Sequence, residues 1–342
     1  MNEKFHNALK NIPQDIPPIW FMRQAGRYHS HYQNLRKKHT FEELCKNPNL
    51  AAEVACGPIR DFDYDVAILF SDILFPLELL DLDLKYNPGP TFTAFLSTNH
   101  AEKIISDDLI REKLSFQPEA LKLTRAALED NKSLVGFIGG PWTVLSYGLG
   151  LKNNKSIDMP NEATFIEKLL YDTIIPILKI NIQMQLDAGA EIVYVFDTNS
   201  IQLSSNYFLD TYLEHLRIEL FHNFKNKLAY FSKNEAFYNQ PHSEISKLNL
   251  SGIVIPDDKP IKDRLMVTRD YFIQGNFSPK SMLKSKEEYK KDLKIFLSNT
   301  KPLTENDRSG WICSLSHGVL PKTPEENVRD FITSVRKEFA QD

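Results

Sequence analysis

The sequence predicts an α/β fold, and within that class a single-domain (β/α)8 barrel that spans residues 1–342. Two features of the chain lead to this prediction. Short apolar runs recur along the 342 residues, and segments with the spacing of amphipathic helices separate most of them. The interval between residues 252 and 271 is short for a full helix, so a doubly wound open sheet is the alternative architecture.

Eight apolar runs are the predicted strands. They are rich in β-branched and aromatic residues, and most are continuously apolar, which is typical of parallel strands covered on both faces. The runs cover residues 19–22, 66–70, 134–138, 192–196, 228–231, 252–255, 271–273 and 311–315.

Helices are predicted in the longer segments between the runs. Residues 162–186 and 207–224 carry apolar side chains at three- and four-residue spacing, as amphipathic helices do. The last helix is predicted to begin with a capping box at Thr323, with Pro324 at the first helical position. Its apolar stripe comprises Val328, Phe331, Ile332 and Val335.

Composition bounds the possible partners. The net charge of −4 and the pI near 6.2 argue against nucleic acid as the main partner, so an anionic ligand requires a local basic pocket.

Three widely spaced cysteines, Cys45, Cys56 and Cys313, indicate a reducing compartment without a disulfide framework. No secretory leader is apparent, and no apolar run approaches the ~20 residues of a membrane helix. We therefore expect a cytoplasmic protein without membrane insertion.

Polar residues follow every predicted strand. In a barrel the C-terminal ends of the strands carry the active site. In chain order these residues are Arg23 and Arg27; Ser71 and Asp72; Thr143 and Tyr147, after the Gly139-Gly140-Pro141-Trp142 turn; Asp197 and Thr198; Ser232; Asp257 and Asp258; Gln274, Gly275 and Asn276; and Ser316, His317 and Gly318. Such a ring of polar residues is hard to obtain by chance, and it predicts a site at this end of the fold.

The stretch IWFMRQAGR, residues 19–27, has the composition of an anion site at the end of a strand. The small Ala25-Gly26 pair lets the backbone bend and approach a ligand closely. Arg23 and Arg27 supply planar, permanently charged groups that suit carboxylate or phosphate. The alternative is an ordinary solvated basic turn.

Each further candidate also has a structural alternative. Asp72 stands among apolar neighbours, where a carboxylate is costly unless it serves a partner, yet it could be a helix N-cap. Asp197 and Thr198 could cap the helix that follows them. Tyr147 could be a core tyrosine and His317 a turn residue, while Phe137 and Phe196 could be core residues rather than a ligand wall.

Several common sites have no counterpart in the sequence. No His-x-Cys or His-x3-His pair suggests a metal site, and neither a GxGxxG turn after a strand nor a P-loop is present. No serine stands in a GxSxG elbow. The residues alone therefore predict a cleft that binds a polyanion and holds one buried carboxylate.

Several motifs together resemble the uroporphyrinogen decarboxylase family. PPIWFMRQAGRY is similar to the first signature of that family, and GFIGGPWTVLSYGLG is similar to the second. FSDIL, the VFDT segment, IQGN and LSHG follow in the order of the family. The resemblance extends from about residue 16 to the last helix.

The resemblance implies a (β/α)8 barrel, a homodimer, and neither a metal nor an organic cofactor. It implies conversion of the four acetate side chains of uroporphyrinogen III to methyl groups, giving coproporphyrinogen III and CO2. It implies catalytic roles for Asp72, Arg23 and Tyr147 and a pocket wall of Phe137 and Phe196. The implied substrate-binding residues are Arg23, Gln24, Ala25, Gly26, Arg27, Asp72, Tyr147, Thr198 and His317.

The chain departs from the family pattern at two places. Ser30-His31-Tyr32 stands where a Pro-Glu-Tyr segment is usual, which touches the rim of the anion site. Ile255-Pro256-Asp257-Asp258 stands where a Gly-Leu-Asp-Trp-like end is usual, which touches the ligand contact expected at the end of the sixth predicted strand.

Two other functions are compatible with this pattern. A corrinoid or thiol methyltransferase could use a related barrel, although such enzymes hold zinc with a His-x-Cys pair that this chain lacks. A non-catalytic tetrapyrrole carrier could keep the anion site without using Asp72 chemically.

Overall fold

The computed structural model describes residues 1–151, 159–267 and 270–340. Its centre is a parallel sheet of seven strands, which follow one another across the sheet in chain order, and a separate antiparallel hairpin lies outside it. The strands are β1 Val66–Ile68, β2 Leu84–Tyr86, β3 Pro90–Phe92, β4 Ser133–Gly139, β5 Val193–Asp197, β6 Leu228–Ser232, β7 Gly252–Val254, β8 Phe272–Phe277 and β9 Trp311–Leu315; β2 and β3 form the hairpin.

The parallel strands confirm the predicted α/β class. Nearly every residue of these strands is buried, which explains why their sequences are continuously apolar rather than alternating. Because the strand order never reverses, the sheet lacks the topological switch of a doubly wound fold.

The first predicted strand, residues 19–22, is not a strand in the structure. Ile19 forms a single parallel bridge to Cys313 of β9, and its carbonyl accepts a hydrogen bond from the Asp65 N–H at 3.0 Å, next to β1. The segment thus lies between the two ends of the sheet. It cannot form a longer ladder because Pro17 and Pro18 lack N–H donors and the backbone turns at Arg23, where φ is 60°.

Side-chain hydrogen bonds connect this segment to the sheet interior. Tyr194 donates to Gln274 at 2.7 Å, and the Gln274 amide donates to Ser314 at 3.1 Å. Ser314 in turn donates to the backbone carbonyl of Trp20 at 2.7 Å. This buried chain joins β5, β8, β9 and the first segment, so the polar groups inside the sheet satisfy one another.

The described α-helices around the sheet range from 4 to 15 residues in length. Those formed by the described residues are α1 Glu3–Leu9, α2 Ser30–Arg36, α3 Phe41–Lys46, α4 Pro48–Phe62, α5 Asp107–Lys113, α6 Phe116–Ala127, α7 Pro141–Gly148, α8 Met159–Lys168, α9 Ile175–Asp187, α10 Leu213–Leu216, α11 Glu235–Tyr238, α12 His242–Ser246, α13 Ile261–Leu265, α14 Lys286–Thr300 and α15 Glu325–Phe339. No helix among these residues is long and apolar enough to cross a membrane.

Two helical predictions need correction in detail. The helices predicted over 162–186 and 207–224 are present, but π-helical turns interrupt them at Leu169–Ile174, Tyr207–Tyr212 and Arg217–Phe221. The predicted capping box at Thr323 is wrong. Pro324 is the N-cap of α15, with no side-chain cap, and the Thr323 hydroxyl is buried without a hydrogen-bond partner in the described part of the chain.

Asp65 holds the first segment against β1. Its carboxylate is 2% exposed, accepts a hydrogen bond from the Ile19 N–H at 2.8 Å, and pairs with Lys4 at 2.7 Å. Replacing Asp65 with alanine would leave a buried N–H without a partner and would break this ion pair. We expect Asp65→Ala to lower the free energy of unfolding by about 3 kcal/mol, measured by urea denaturation.

Asp83→Ala is the matched control, because Asp83 pairs with Lys85 at 2.8 Å on the surface. Its removal should change the free energy of unfolding by less than about 0.5 kcal/mol. Equal effects of the two substitutions would contradict the role of Asp65.

Candidate active site

Three of the predicted site residues lie together at the C-terminal ends of the strands. Asp72 follows β1, Tyr147 is on α7 directly after β4, and Arg23 ends the first segment. The three side chains are close enough to influence one another. The Asp72 carboxylate and the Arg23 guanidinium act in opposite directions on the pKa of Tyr147, which burial raises above its ordinary value.

Arg23 is held in place by the shape of the backbone around it. Its φ of 60° is in the left-handed region, which directs the side chain away from the line of the segment. A Cβ atom on Gly318 would lie 2.6 Å from Arg23 Cδ, so the side chain rests on the space that this glycine leaves open. Burial lowers the pKa of Arg23, while Tyr147 and Asp72 oppose that effect.

Asp72 is half-buried. Its Oδ1 accepts the Leu74 N–H at 2.9 Å, an Asx-type turn. It is not the N-cap of the following 3-10 helix, Phe75–Leu80, because that position is taken by Leu74. Burial raises the pKa of Asp72 above its usual range, and the Leu74 N–H, Tyr86 and Arg23 counteract this.

A further cation of the site, Lys233, was missed in the sequence and follows β6. Its side chain reaches solvent, yet partial desolvation by the surrounding protein lowers its pKa, and the charge of Arg23 lowers it further. Burial, Arg23 and Lys233 lower the pKa of His317 to about 4, so its imidazole is neutral at neutral pH. One signal could have identified Lys233, since it stands one residue beyond Ser232 at the end of the fifth predicted strand.

Aromatic rings form a row at the ends of the strands. Phe137 and Phe196 lie 5.7 Å apart, ring centre to ring centre, at the ends of β4 and β5. Phe231, also missed in the sequence, continues the row at 6.3 Å from Phe196 and 5.5 Å from His317. The row therefore extends from Phe137 and Phe196, the predicted pocket wall, to His317, which follows β9.

The remaining predicted residues have different surroundings. Gln24 is fully buried; its amide donates to the Val66 carbonyl at 2.9 Å and accepts the Phe21 N–H at 3.2 Å. Ala25 and Gly26 are partly exposed, Arg27 is exposed, and Thr198 is partly exposed at the end of β5. In this structure Gln24 links the first segment to β1, and its contact with a ligand stays a prediction.

Asp197 does not cap the helix that follows it. It is fully buried and accepts hydrogen bonds from Thr143 N–H, Thr143 Oγ1, Tyr212 and Tyr230 at 3.1, 2.7, 2.6 and 2.9 Å. Thr143 is the third residue of α7, so Asp197 caps that helix from a neighbouring strand. Because α7 carries Tyr147, Asp197 positions that residue from outside the cavity.

A separate surface hollow of about 520 Å³ lies elsewhere, between residues 101–110 and the helical segments of residues 168–180. The described residues that line it include neither Arg23, Asp72, Tyr147, Lys233 and His317 nor the row of phenylalanines.

Comparison with known proteins assigns the family. The family model described as uroporphyrinogen decarboxylase (URO-D) matches residues 1–338. The chain belongs to the uroporphyrinogen decarboxylase family. This confirms the resemblance of the two signature motifs.

Individual relatives agree with this assignment. A uroporphyrinogen decarboxylase of Orientia tsutsugamushi (strain Ikeda) is 33% identical, over 97% of this chain and 98% of the relative. That of Myxococcus xanthus is 31% identical, over 98% and 97%. Among solved structures, a methyltransferase from Methanosarcina mazei has a TM-score of 0.75, 17% identity and 98% coverage of each chain, which shows similarity of fold alone.

The contact between Gly318 and Arg23 can be tested directly. In Gly318→Ala the new methyl group must displace Arg23, so we expect binding of a polycarboxylated porphyrin to weaken roughly tenfold or more, measured by fluorescence quenching. Gly89→Ala is the matched control, because nothing lies within 4 Å of a Cβ built there. Unchanged binding in Gly318→Ala would show that the position of Arg23 does not matter.

Proposed function

We propose that the protein decarboxylates the four acetate side chains of uroporphyrinogen III to methyl groups, giving coproporphyrinogen III and CO2 in porphyrin and haem biosynthesis. The observation that carries the proposal is the half-buried carboxylate of Asp72 beside Arg23 and Tyr147, in a chain of this family.

The chemistry needs a fixed negative charge. Protonation of a pyrrole ring carbon gives an iminium-like cation, and the electrons of the C–CO2 bond then flow into it as CO2 leaves, which forms an exocyclic methylene. Protonation of that methylene gives the methyl group, and loss of the first proton from the ring carbon restores the aromatic pyrrole. The ring is its own electron sink, so we propose that no cofactor is required. Asp72, poorly solvated and facing the cavity, would stabilise the positive charge beside the pyrrole N–H groups.

The cationic side of the site would hold the carboxylate arms. Arg23 and Arg27 present guanidinium groups that can bind carboxylates with two parallel hydrogen bonds. Lys233 adds a point charge, and neutral His317 can donate one hydrogen bond to a carboxylate. Tyr147 and Thr198 would position the ring against the wall of Phe137 and Phe196.

The proposal includes the remaining features of the family. We infer a single-domain (β/α)8 barrel that closes through residues 18–24, supported by the Ile19–Cys313 bridge and the Asp65–Ile19 hydrogen bond. We also infer a cytoplasmic homodimer that acts without metal. Light scattering coupled to gel filtration tests the dimer.

An anaerobic turnover assay with reduced uroporphyrinogen III, run before and after dialysis against a strong chelator, tests the function. We expect coproporphyrinogen and CO2 at the same rate in both samples. Activity that is lost on chelation and restored by zinc would favour a methyltransferase-like metal site. Tight binding without turnover would favour a tetrapyrrole carrier.

Asp72→Asn tests the central charge. Asparagine is nearly the same size but carries no charge, so we expect kcat to fall about 10²–10³-fold with a smaller change in KM. Steady-state kinetics and a thermal melt of the variant make the measurement. Near-normal kcat would leave Asp72 with a purely structural role in the turn at Leu74.

Lys233→Met tests the cation missed in the sequence. Removing this charge while keeping the aliphatic chain should raise KM about fivefold and leave kcat nearly unchanged, with a smaller effect at high salt. Lys225→Met is the matched control, since exposed Lys225 precedes β6 at its other end. An equal effect of both substitutions would point to the overall charge of the protein rather than to the site.

A further inference from the structure

Tyr86 packs against the turn that follows Asp72, and its hydroxyl group is within electrostatic range of the Asp72 carboxylate, although the two residues belong to different elements. Tyr86 ends β2 of the hairpin, where it pairs with Pro90 of β3. Its ring lies 4.7 Å from that of Phe41 and 6.1 Å from that of Phe75. These two phenylalanines fix the ring from α3 and from the turn after Asp72.

The environment of this hydroxyl calls for an explanation. Its oxygen is enclosed, and among residues 1–151, 159–267 and 270–340 no group completes a well-aligned hydrogen bond with it. Buried hydroxyl groups normally have a partner, because they lose water when they are enclosed. The Leu74 N–H binds Oδ1 of Asp72, so the carboxylate keeps acceptor capacity for a second donor.

We propose that Tyr86 is a positioning residue for Asp72, donating its O–H to the acceptor capacity that Leu74 leaves free and so keeping the carboxylate ionised and oriented. The benefit of this ionised form for catalysis rests on the proposed function. The contact between Tyr86 and Asp72 does not depend on the proposed function.

The groups that face Asp72 support this role. Burial raises the pKa of Asp72, and the Leu74 N–H, Tyr86 and Arg23 lower it. Tyr147 and Cys45 also lie within electrostatic range, but burial raises the pKa of both, so they are neutral at neutral pH. Three groups therefore favour the ionised carboxylate. One of the three, Tyr86, can be removed by deleting a single oxygen atom.

The test compares Tyr86→Phe with Tyr289→Phe. Tyr289 is a matched control, because its buried hydroxyl also lies beside a carboxylate, that of Asp330, but on α14. Asp carboxyl groups labelled with 13C are titrated by NMR, and Asp72→Asn assigns the resonance. Loss of a donor to the charged form raises the pKa, so the Asp72 carboxylate should protonate at higher pH in Tyr86→Phe and at unchanged pH in Tyr289→Phe.

The kinetic consequence has a defined sign. The acid limb of the kcat–pH profile should move to higher pH in Tyr86→Phe, with about a tenfold loss on the acid side and little loss above the limb. In an Asp72→Asn background, Tyr86→Phe should change kcat no further.

An unchanged titration of Asp72, or a loss of kcat that is equal at every pH, would overturn the proposal. The experiments distinguish failure of the proposed function from failure of the proposed role of Tyr86. A wild-type protein without decarboxylase activity refutes the function, while the NMR titration still decides the contact between Tyr86 and Asp72.

Discussion

The segment of residues 18–24 lies between the two ends of the sheet but makes too few backbone hydrogen bonds to be a strand. The position of the site depends on how this segment is attached. The Cys313 N–H donates to the Pro18 carbonyl at 3.0 Å on one side, and on the other the Asp65 N–H donates to the Ile19 carbonyl at 3.0 Å. Beyond these, the Val319 N–H donates to the Met22 carbonyl at 2.9 Å, and the side chains of Asp65, Ser314 and Gln24 add further hydrogen bonds. Because the chain leaves the sheet so early, Arg23 can turn into the cavity at its mouth.

Desolvation affects four ionisable groups of the site. Poor solvation raises the pKa of Asp72 and lowers that of Arg23, Lys233 and His317, so it disfavours the charged form of every one of these groups. The cations also repel one another. A polycarboxylate would relieve that repulsion, and a cationic ring above Asp72 would relieve the poor solvation of the carboxylate. The proposed substrate would therefore meet the needs of both the cations and the carboxylate.

Parts of this arrangement could be predicted because they depend on local sequence. Parallel strands covered on both faces must be continuously apolar, so the seven strands of the sheet were predicted as runs. Residues that follow such runs meet at one edge of the sheet, so the sequence predicted that Arg23, Asp72 and Tyr147 lie close together. The predicted capping box failed for an equally local reason, since Pro324 itself occupies the N-cap and displaces Thr323 from that role.

By itself the sequence determined the α/β class, the family and the cluster of Arg23, Asp72 and Tyr147, because these follow from apolar periodicity and from contiguous motifs. Only the tertiary structure decided which distant groups surround that cluster. Asp197 caps α7 from another strand, Lys233 lowers the pKa of His317 from the end of β6, and Tyr86 of the hairpin is within electrostatic range of Asp72. The physical reason is that desolvation and hydrogen bonding act through space, so their partners carry no fixed spacing along the chain.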